Sequence, residues 1–361
     1  MPITHFSGRV HGALVLAMSL SFSAAAGLPP ATAAGGKGKA PAPHAKAKGP
    51  GPIMIDREGS FTVGGTVIGD AGKTLHCDHG FVDYQIPVKA KKTSLFLWHS
   101  SSVAVWQHTW SGGEGYQQIF LRRGYPVYMW DGPRVGRGNF ACETYTYTPK
   151  PGQDQGNIVA WRLGPAEGAW FDGVQFPVKD AAAMDRAMSD RYDEFDIAKN
   201  AHLEGEAGAA AIDKIGPSVL VTNSAGDWRA MIAAMKSTSG NVKAIVAYEP
   251  AAFVFPDGEG PQGPEEGFGP THVPLAQFMK LTKFPIQIVW GDFTEKTFWK
   301  TNVAISKQFV ASVNAHGGHA EVLMLPSVGL KGNTHIAFAD LDNVKVADQL
   351  SLFLKKNKLD H

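Results

Sequence analysis

Six short apolar runs, separated by polar or helix-like stretches, constrain the fold of this chain more than any other feature. Each run is hydrophobic at almost every position, which is typical of central strands buried on both faces of a parallel sheet. The runs are residues 95–98, 127–130, 219–221, 244–247, 286–290 and 322–325. Helical spacing follows three of them, at residues 227–236, 299–315 and 344–356. This alternation predicts an α/β fold, with helices on both faces of a mostly parallel sheet.

An antiparallel hairpin is predicted ahead of these runs. Residues 60–70 and 81–88 alternate apolar and polar positions between turn residues, which brings the expected sheet to eight strands. The stretch between the second and third apolar runs is longer than an ordinary crossover, and its part at 180–200 has helical spacing and many charges. We therefore expect a cap insertion at roughly 143–210, within one domain that spans 53–361.

The N-terminus has the pattern of a secretory signal peptide. Arg9 precedes an apolar or small run at 12–26, whose 15 residues are fewer than the roughly 20 that a membrane span needs. Ala-x-Ala sequences predict cleavage before Gly27 or before Ala34. We assign residues 1–34 to the signal peptide, with an uncleaved membrane anchor as the alternative. The mature protein is then expected to be exported, with no stable membrane span.

A linker and a weak overall charge follow from composition. Residues 35–52 are almost wholly Gly, Ala, Pro and Lys, which predicts a disordered segment. Residues 1–52 hold five basic residues and no acidic one, whereas the whole chain has a formal net charge of +1. The remaining chain is therefore mildly acidic. This balance excludes a protein that coats nucleic acid.

Cys77 and Cys142 are the only two cysteines in the sequence. In an oxidising compartment such a pair is expected to form a disulfide. The disulfide would close a loop of about 65 residues and stabilise the fold by roughly 4 kcal/mol. His76, Asp78 and His79 beside Cys77 leave a metal site as an alternative. No second group of ligands has a recognisable spacing, so we predict neither a metal nor a cofactor.

A candidate nucleophile directly follows the third apolar run. Residues 222–226 read Thr-Asn-Ser-Ala-Gly and lead into a helical stretch, which is the strand–turn–helix pattern that exposes a nucleophilic serine. Gly226 meets the need for a small residue two positions after Ser224, but Thr222 stands where glycine is usual. The alternative is a serine that only caps the helix.

A serine nucleophile needs a base and an acid at the carboxyl ends of later strands. His335 follows the last predicted strand by a loop, which is the expected place for the base. Two acids compete, because Glu249 follows the strand after the nucleophile strand and Asp292 follows the next one. Spacing alone favours Asp292 slightly. Backbone N–H groups for an oxyanion hole are expected from Ala225 and from the loop His99-Ser100-Ser101-Ser102.

From about residue 93 to 347 the sequence resembles a secreted bacterial carboxylesterase family of the α/β-hydrolase superfamily. Its best-known member carries a vicinal disulfide beside the oxyanion hole. The most similar blocks are residues 120–125, 161–165, 175–178, 249–250, 325–329, 332–335 and 342–343. The family places its triad acid after the sixth strand, so the resemblance implies Glu249 as the acid, with Ser224 as nucleophile and His335 as base.

The same resemblance implies that the N–H of Ser101 is the second oxyanion donor. The family's loop reads His-Gly-Cys-Cys, whereas this chain has serines at 100–102, so a vicinal disulfide cannot form here. The elbow differs as well, since the family has Ser-His-Ser-Gln-Ser-Gly at the position of 222–226. The resemblance therefore leaves open whether this chain acts on the same substrate as the family.

The sequence thus predicts a secreted serine carboxylesterase for a small or aromatic ester. A lactonase or amidase with the same triad is one alternative, and a binding protein with a hydrolase-like fold and no activity is another. A homodimer is compatible with the sequence. Five aromatic residues lie close in sequence to the candidate site, and they fit either a bulky substrate or ordinary core packing. They are Trp98, Trp106, Trp110, Tyr248 and Trp290.

Overall fold

An eight-stranded sheet organises the part of the chain that the computed structural model describes, which is residues 51–361 without 100, 101, 194, 196, 266 and 267. The strands in chain order are β1 (Ile55–Ile68), β2 (Leu75–Pro87), β3 (Ser94–Trp98), β4 (Val127–Asp131), β5 (Ser218–Asn223), β6 (Val242–Tyr248), β7 (Val254–Pro256), β8 (Thr271–Val273), β9 (Pro285–Trp290) and β10 (His319–Met324). The order across the sheet is β1-β2-β4-β3-β5-β6-β9-β10. Strands β7 and β8 pair separately.

The sheet is parallel except at one edge. β1 pairs with β2 and β2 pairs with β4 in antiparallel fashion, and the remaining pairs are parallel. The predicted hairpin and the predicted eight strands are therefore confirmed. Every residue of β3 and β5 is buried, as the apolar runs at their centres indicate, whereas β1 is largely exposed.

Helices cover both faces of this sheet, as expected. They are α1 (Ala104–Gln107), α2 (Tyr116–Arg122), α3 (Gln153–Ala160), α4 (Ala181–Ser189), α5 (Ala198–Ile215), α6 (Ala225–Lys236), α7 (Leu275–Phe278), α8 (Trp299–Ala315) and α9 (Asn343–Lys356). Alternate residues of each central strand enter different apolar clusters. Leu95 and Leu97 pack with α2 and α9, whereas Phe96 and Trp98 pack with α5, α6 and α8.

Helix α5 lies close to the sheet because glycine faces it at one position. A Cβ on Gly208 would lie 2.3 Å from the Trp98 ring, so a larger residue cannot occupy that position without a shift of the helix. α5 contributes Ala207, Ala211 and Ile212 to the cluster that contains Trp98. It begins inside the stretch expected to form a cap, and it packs along α6 and the β1–β2 hairpin.

The predicted disulfide joins Cys77 in β2 to Cys142, with their Cα atoms 5.0 Å apart. Beside it, buried Arg134 donates two hydrogen bonds to the Asp78 carboxylate, over 2.8 and 2.9 Å. This edge of the molecule is therefore held by one covalent bond and one buried ion pair.

Residues 52–361 form one compact unit. The predicted signal peptide and nearly all of the predicted linker lie outside the described residues. Within the described part, no helix combines the length and the apolar character that crossing a bilayer would require.

Candidate active site

Ser224 lies in a sharp turn between β5 and α6, with backbone dihedrals of φ 55° and ψ −124°. A non-glycine residue is strained in this left-handed region, so it needs support from its surroundings. The Ser224 N–H donates to the carbonyl of Tyr248 over 3.0 Å, and its own carbonyl accepts from the N–H groups of Asp227 and Ala251, each over 3.2 Å. Three backbone hydrogen bonds thus hold the strained serine at the carboxyl end of β5.

The two flanking positions of this turn are filled in different ways. A Cβ on Gly226 would lie 2.7 Å from the His99 carbonyl oxygen, so only glycine fits there. Thr222 takes the position where glycine is usual, and its hydroxyl donates a hydrogen bond to the buried Asp227 carboxyl. Burial raises the pKa of Asp227 well above its ordinary value, although the Thr222 hydroxyl opposes the shift. Burial therefore favours the protonated form of Asp227, which lies directly below the serine turn.

Asn223 joins three segments of the candidate site. It is buried next to Ser224, and its side-chain amide donates to the carbonyl of Tyr248 over 3.1 Å and to the carbonyl of His335 over 3.2 Å. Tyr248 directly precedes Glu249. One side chain thus connects the main chain at the serine, the acid and the histidine.

Glu249 is the carboxylate that contacts the histidine. Its Oε2 lies 3.5 Å from His335 Nδ1, which is longer than a well-formed hydrogen bond but within the range common in sites without substrate. The backbone N–H of His335 donates to the Trp161 carbonyl over 3.0 Å, and the imidazole ring stacks on Trp299 with centroids 4.4 Å apart. The main chain of His335 is thereby held by Trp161, and one face of its imidazole is covered by Trp299.

Burial and charge set the protonation of this pair. Burial lowers the pKa of His335, Glu249 opposes that change, and the Arg162 cation adds to it. Burial alone would raise the pKa of Glu249, but Arg162 and His335 outweigh it and the net pKa is lowered. At neutral pH the structure therefore holds a neutral imidazole beside an ionised carboxylate, which is the state in which histidine accepts a proton.

Arg162 is the charged partner of Glu249. Its Nη2 donates to Glu249 Oε1 over 2.5 Å, and its Nε donates to the carbonyl of Asp292 over 2.7 Å. The Gly291 N–H donates to the same Oε1, also over 2.5 Å. Both members of the ion pair have fully buried side chains.

Asp292 holds the segment that precedes His335. Its carboxylate accepts from the N–H of Phe293 over 2.7 Å and from the N–H of Gly332 over 2.9 Å. Its own N–H donates to the Asn333 carbonyl over 2.8 Å. The acid that spacing favours thus supports the loop, while Glu249 faces the imidazole.

The loop after β3 is anchored on both sides of two undescribed residues. His99 is buried and its Nε2 lies 3.0 Å from Asp131 Oδ1. The Ser102 hydroxyl donates to the Asp190 carbonyl over 2.6 Å. Ser101, expected as an oxyanion donor, and Ser100 lie outside the described residues. Ala225, the other expected donor, is the buried first residue of α6.

Comparisons with known proteins bear on the fold. No protein-family model matches the sequence, and no curated protein does so either. Among solved structures, a novel bacterial esterase matches with a TM-score of 0.70 and 25% identity, over 86% of this chain and 99% of that one. With the sheet order above, this match decides the architecture. The chain has the α/β-hydrolase fold.

More distant α/β-hydrolase structures include two esterases from Bacillus subtilis. The naproxen esterase is 11% identical, with a TM-score of 0.42, over 84% of this chain and 92% of that one. The carboxylesterase CesB is also 11% identical, with a TM-score of 0.38, over 82% of this chain and 90% of that one.

Two residues of the site in this α/β-hydrolase, Arg162 and Asn223, were not predicted from the sequence. Arg162 belongs to a block that resembles the esterase family, but nothing in the sequence indicates that it pairs with an acid 87 positions away. Asn223 occupies the variable position of the serine motif. A side-chain amide directly before the candidate nucleophile was the one sequence feature that could have indicated hydrogen bonds to neighbouring loops.

The aromatic residues noted from sequence are core residues. Trp98, Trp106, Trp110, Tyr248 and Trp290 are each no more than 1% exposed. The aromatic ring that contacts the imidazole is instead that of Trp299, and the exposed Phe298 ring packs on Trp299 with centroids 4.9 Å apart. Among the described residues, no group of three or more His, Cys, Asp or Glu side chains is arranged to hold a metal ion.

Proposed function

We propose that this chain is a secreted serine carboxylesterase that hydrolyses a small or aromatic ester through an acyl-enzyme on Ser224. The observation that carries the proposal is the strained turn at Ser224, whose neighbour Asn223 connects the main chain before Glu249 to that of His335. Strain of this kind is retained at reactive positions because it exposes the side chain. The esterase match over 86% of the chain supports the same chemistry.

In the proposed mechanism the Ser224 oxygen attacks the ester carbonyl carbon while His335 takes the hydroxyl proton. The tetrahedral oxyanion accepts hydrogen bonds from the N–H groups of Ala225 and Ser101. The intermediate collapses, the C–O bond to the alcohol breaks, and His335 returns its proton to the leaving oxygen. Water then attacks the acyl-enzyme with His335 again as base, which releases the acid and restores Ser224.

The charges around His335 support this sequence of steps. A neutral imidazole can accept the serine proton, and the Glu249 carboxylate stabilises the imidazolium that forms. The Trp299 ring stacks on the imidazole, and the exposed Phe298 ring packs on Trp299; these apolar surfaces support an aromatic or otherwise apolar ester. The disulfide supports export to the periplasm or beyond the cell.

Replacing Ser224 by alanine tests the nucleophile. Ser224→Ala removes the attacking oxygen but leaves the backbone hydrogen bonds of the turn in place. We expect hydrolysis of a nitrophenyl ester to fall by at least about 10³-fold, with an unchanged thermal unfolding midpoint. Retained turnover in the variant would contradict the assignment.

A substrate panel and a covalent probe separate the alternatives. A fluorophosphonate should label the wild-type chain and not Ser224→Ala, whereas a binding protein without activity would not be labelled. Linear esters should be turned over faster than lactones or amides. Preference for a lactone or an amide would replace the esterase assignment while leaving the triad in place.

A further inference from the structure

A buried arginine segment contacts both the acid and the base of the proposed triad. Arg162 is 0% exposed and donates to Glu249 Oε1 over 2.5 Å. Its neighbour Trp161 accepts the backbone N–H of His335 over 3.0 Å. Residues 161–162 therefore touch both members of the pair from a segment that supplies neither of them.

The two oxygens of Glu249 have different surroundings. Oε1 accepts from Arg162 Nη2 and from the Gly291 N–H. Oε2 is buried and makes no hydrogen bond within the described residues, and His335 Nδ1 lies 3.5 Å from it. Donors therefore converge on one oxygen and leave the other available to the imidazole.

We propose that Arg162 is a positioning residue of the hydrolytic site, which keeps the Glu249 carboxylate ionised and directs its Oε2 toward His335. The inference rests on the proposed function. The backbone of Arg162 supports it, because its φ of 60° is strained for a non-glycine residue and needs firm packing to persist. The Nε bond to the Asp292 carbonyl fixes the guanidinium, so its position relative to Glu249 is set by two hydrogen bonds.

The electrostatic consequence does not depend on which member of the pair takes a proton. Glu249 and His335 are in contact, so they titrate as a unit. A nearby cation disfavours the first proton added to this unit, whether it binds the carboxylate or the imidazole. Loss of the Arg162 charge therefore raises the pH at which the active form, with ionised Glu249 and neutral His335, is lost.

Three other acids lie near this unit and must be separated from the effect of Arg162. Asp227 in α6 is buried and bonded to Thr222, and Asp292 after β9 binds two backbone N–H groups. Asp340 accepts from the N–H and hydroxyl of Thr334, over 2.7 and 2.8 Å. Burial raises the pKa of Asp340 to about 7, so Asp340 titrates in the same range as the proposed effect.

The pH profile of kcat/KM for a nitrophenyl ester tests the proposal. Arg162→Gln removes the positive charge. Arg162→Lys keeps the charge but cannot donate to Glu249 and to the Asp292 carbonyl at the same time through a planar guanidinium. We expect the acid limb of Arg162→Gln to move up by about one pH unit or more. Arg162→Lys should keep the wild-type limb while its kcat falls. A limb that stays in place in Arg162→Gln would overturn the proposal.

The matched control is Arg229→Gln. Arg229 donates to Glu204 over 3.0 Å, and both side chains are nearly fully buried, so it is a second internal ion pair that lies outside the site. This variant should lose stability but keep the wild-type pH profile. The same upward shift in Arg229→Gln would show that loss of any buried cation produces it, which overturns the proposal. The shift must also persist with Asp340→Asn in the background.

A double variant covers the case in which Arg162→Gln does not fold. Arg162→Gln with Glu249→Gln removes both charges, which avoids leaving one buried charge unpaired. If Arg162 acts through Glu249, the double variant should have the kcat/KM of Glu249→Gln alone, within about threefold. A further loss of tenfold or more would place the role of Arg162 elsewhere.

The rate of fluorophosphonate labelling at each pH separates this inference from the proposed function. Absence of labelling in the wild-type chain would contradict the serine hydrolase assignment itself. Labelling of the wild type with an unchanged acid limb in Arg162→Gln would contradict only the role of Arg162.

Discussion

At the scale of single residues, the candidate site depends on which carboxylate faces the histidine. Both Glu249 and Asp292 follow neighbouring parallel strands, β6 and β9, and so both reach the same sheet edge. The two carboxylates differ in the groups that they contact. Glu249 contacts the ring of His335, and Asp292 binds the backbone N–H groups of Phe293 and Gly332.

Neutral amide variants of the two acids should have different effects on turnover. Glu249→Gln removes the charge that stabilises the imidazolium, so we expect kcat to fall by about 10³–10⁴-fold. Asp292→Asn keeps one acceptor for the loop and should cost no more than about tenfold. Steady-state kinetics on one ester measure both. A larger loss in Asp292→Asn than in Glu249→Gln would assign the triad acid to Asp292.

At the scale of elements, the sequence predicted the sheet well because each strand has a local signal. An apolar run such as 219–221 predicts a buried strand, and the helical periodicity of the residues after it predicts the helix that follows. The site was predicted less completely. The pairing of Arg162 with Glu249 depends on the tertiary contact between two segments that are distant in sequence. The local sequence around either residue does not predict such a contact. Strand spacing likewise did not separate the two acids, and only the family resemblance implied Glu249.

The packing of α5 on the sheet gives a prediction at this scale. Gly208→Val places a branched side chain where a Cβ alone would lie 2.3 Å from the Trp98 ring. We expect a loss of about 1–3 kcal/mol from overpacking, measured by chemical denaturation. The control is Gly156→Val in α3, which has open space around its Cβ; because valine forms helix better than glycine, no loss of stability is expected there. An equal effect in the two helix variants would contradict this account of α5.

At the scale of the whole molecule, buried acids make stability depend on pH in an unusual direction. Burial raises the pKa of Asp340 to about 7 from an ordinary value of 3.8. The folded state therefore binds a proton that the unfolded state has lost, so its contribution to stability is present below about pH 4 and decreases as the pH rises toward 7. Carboxyls with a lowered pKa, such as Asp78 and Asp213, act in the opposite sense at lower pH.

Asp340→Asn tests this dependence. The variant cannot titrate, so its free energy of unfolding should fall less between pH 5 and pH 8 than that of the wild type. The difference should approach about 1.4 kcal/mol per pH unit while the two states differ by a proton. Denaturant titrations at the two pH values measure it. Parallel pH dependences for the two proteins would show that Asp340 does not titrate in this range.

The amide of Asn223 has a practical consequence for anyone who re-engineers this protein. Its two hydrogens are given to main-chain oxygens, those of residues 248 and 335, and to no side chain. A mutant library can therefore vary the side chain at 248 without removing either bond. Aspartate at 223, although equal in size, would turn a negative oxygen toward these two carbonyl oxygens and is therefore disfavoured.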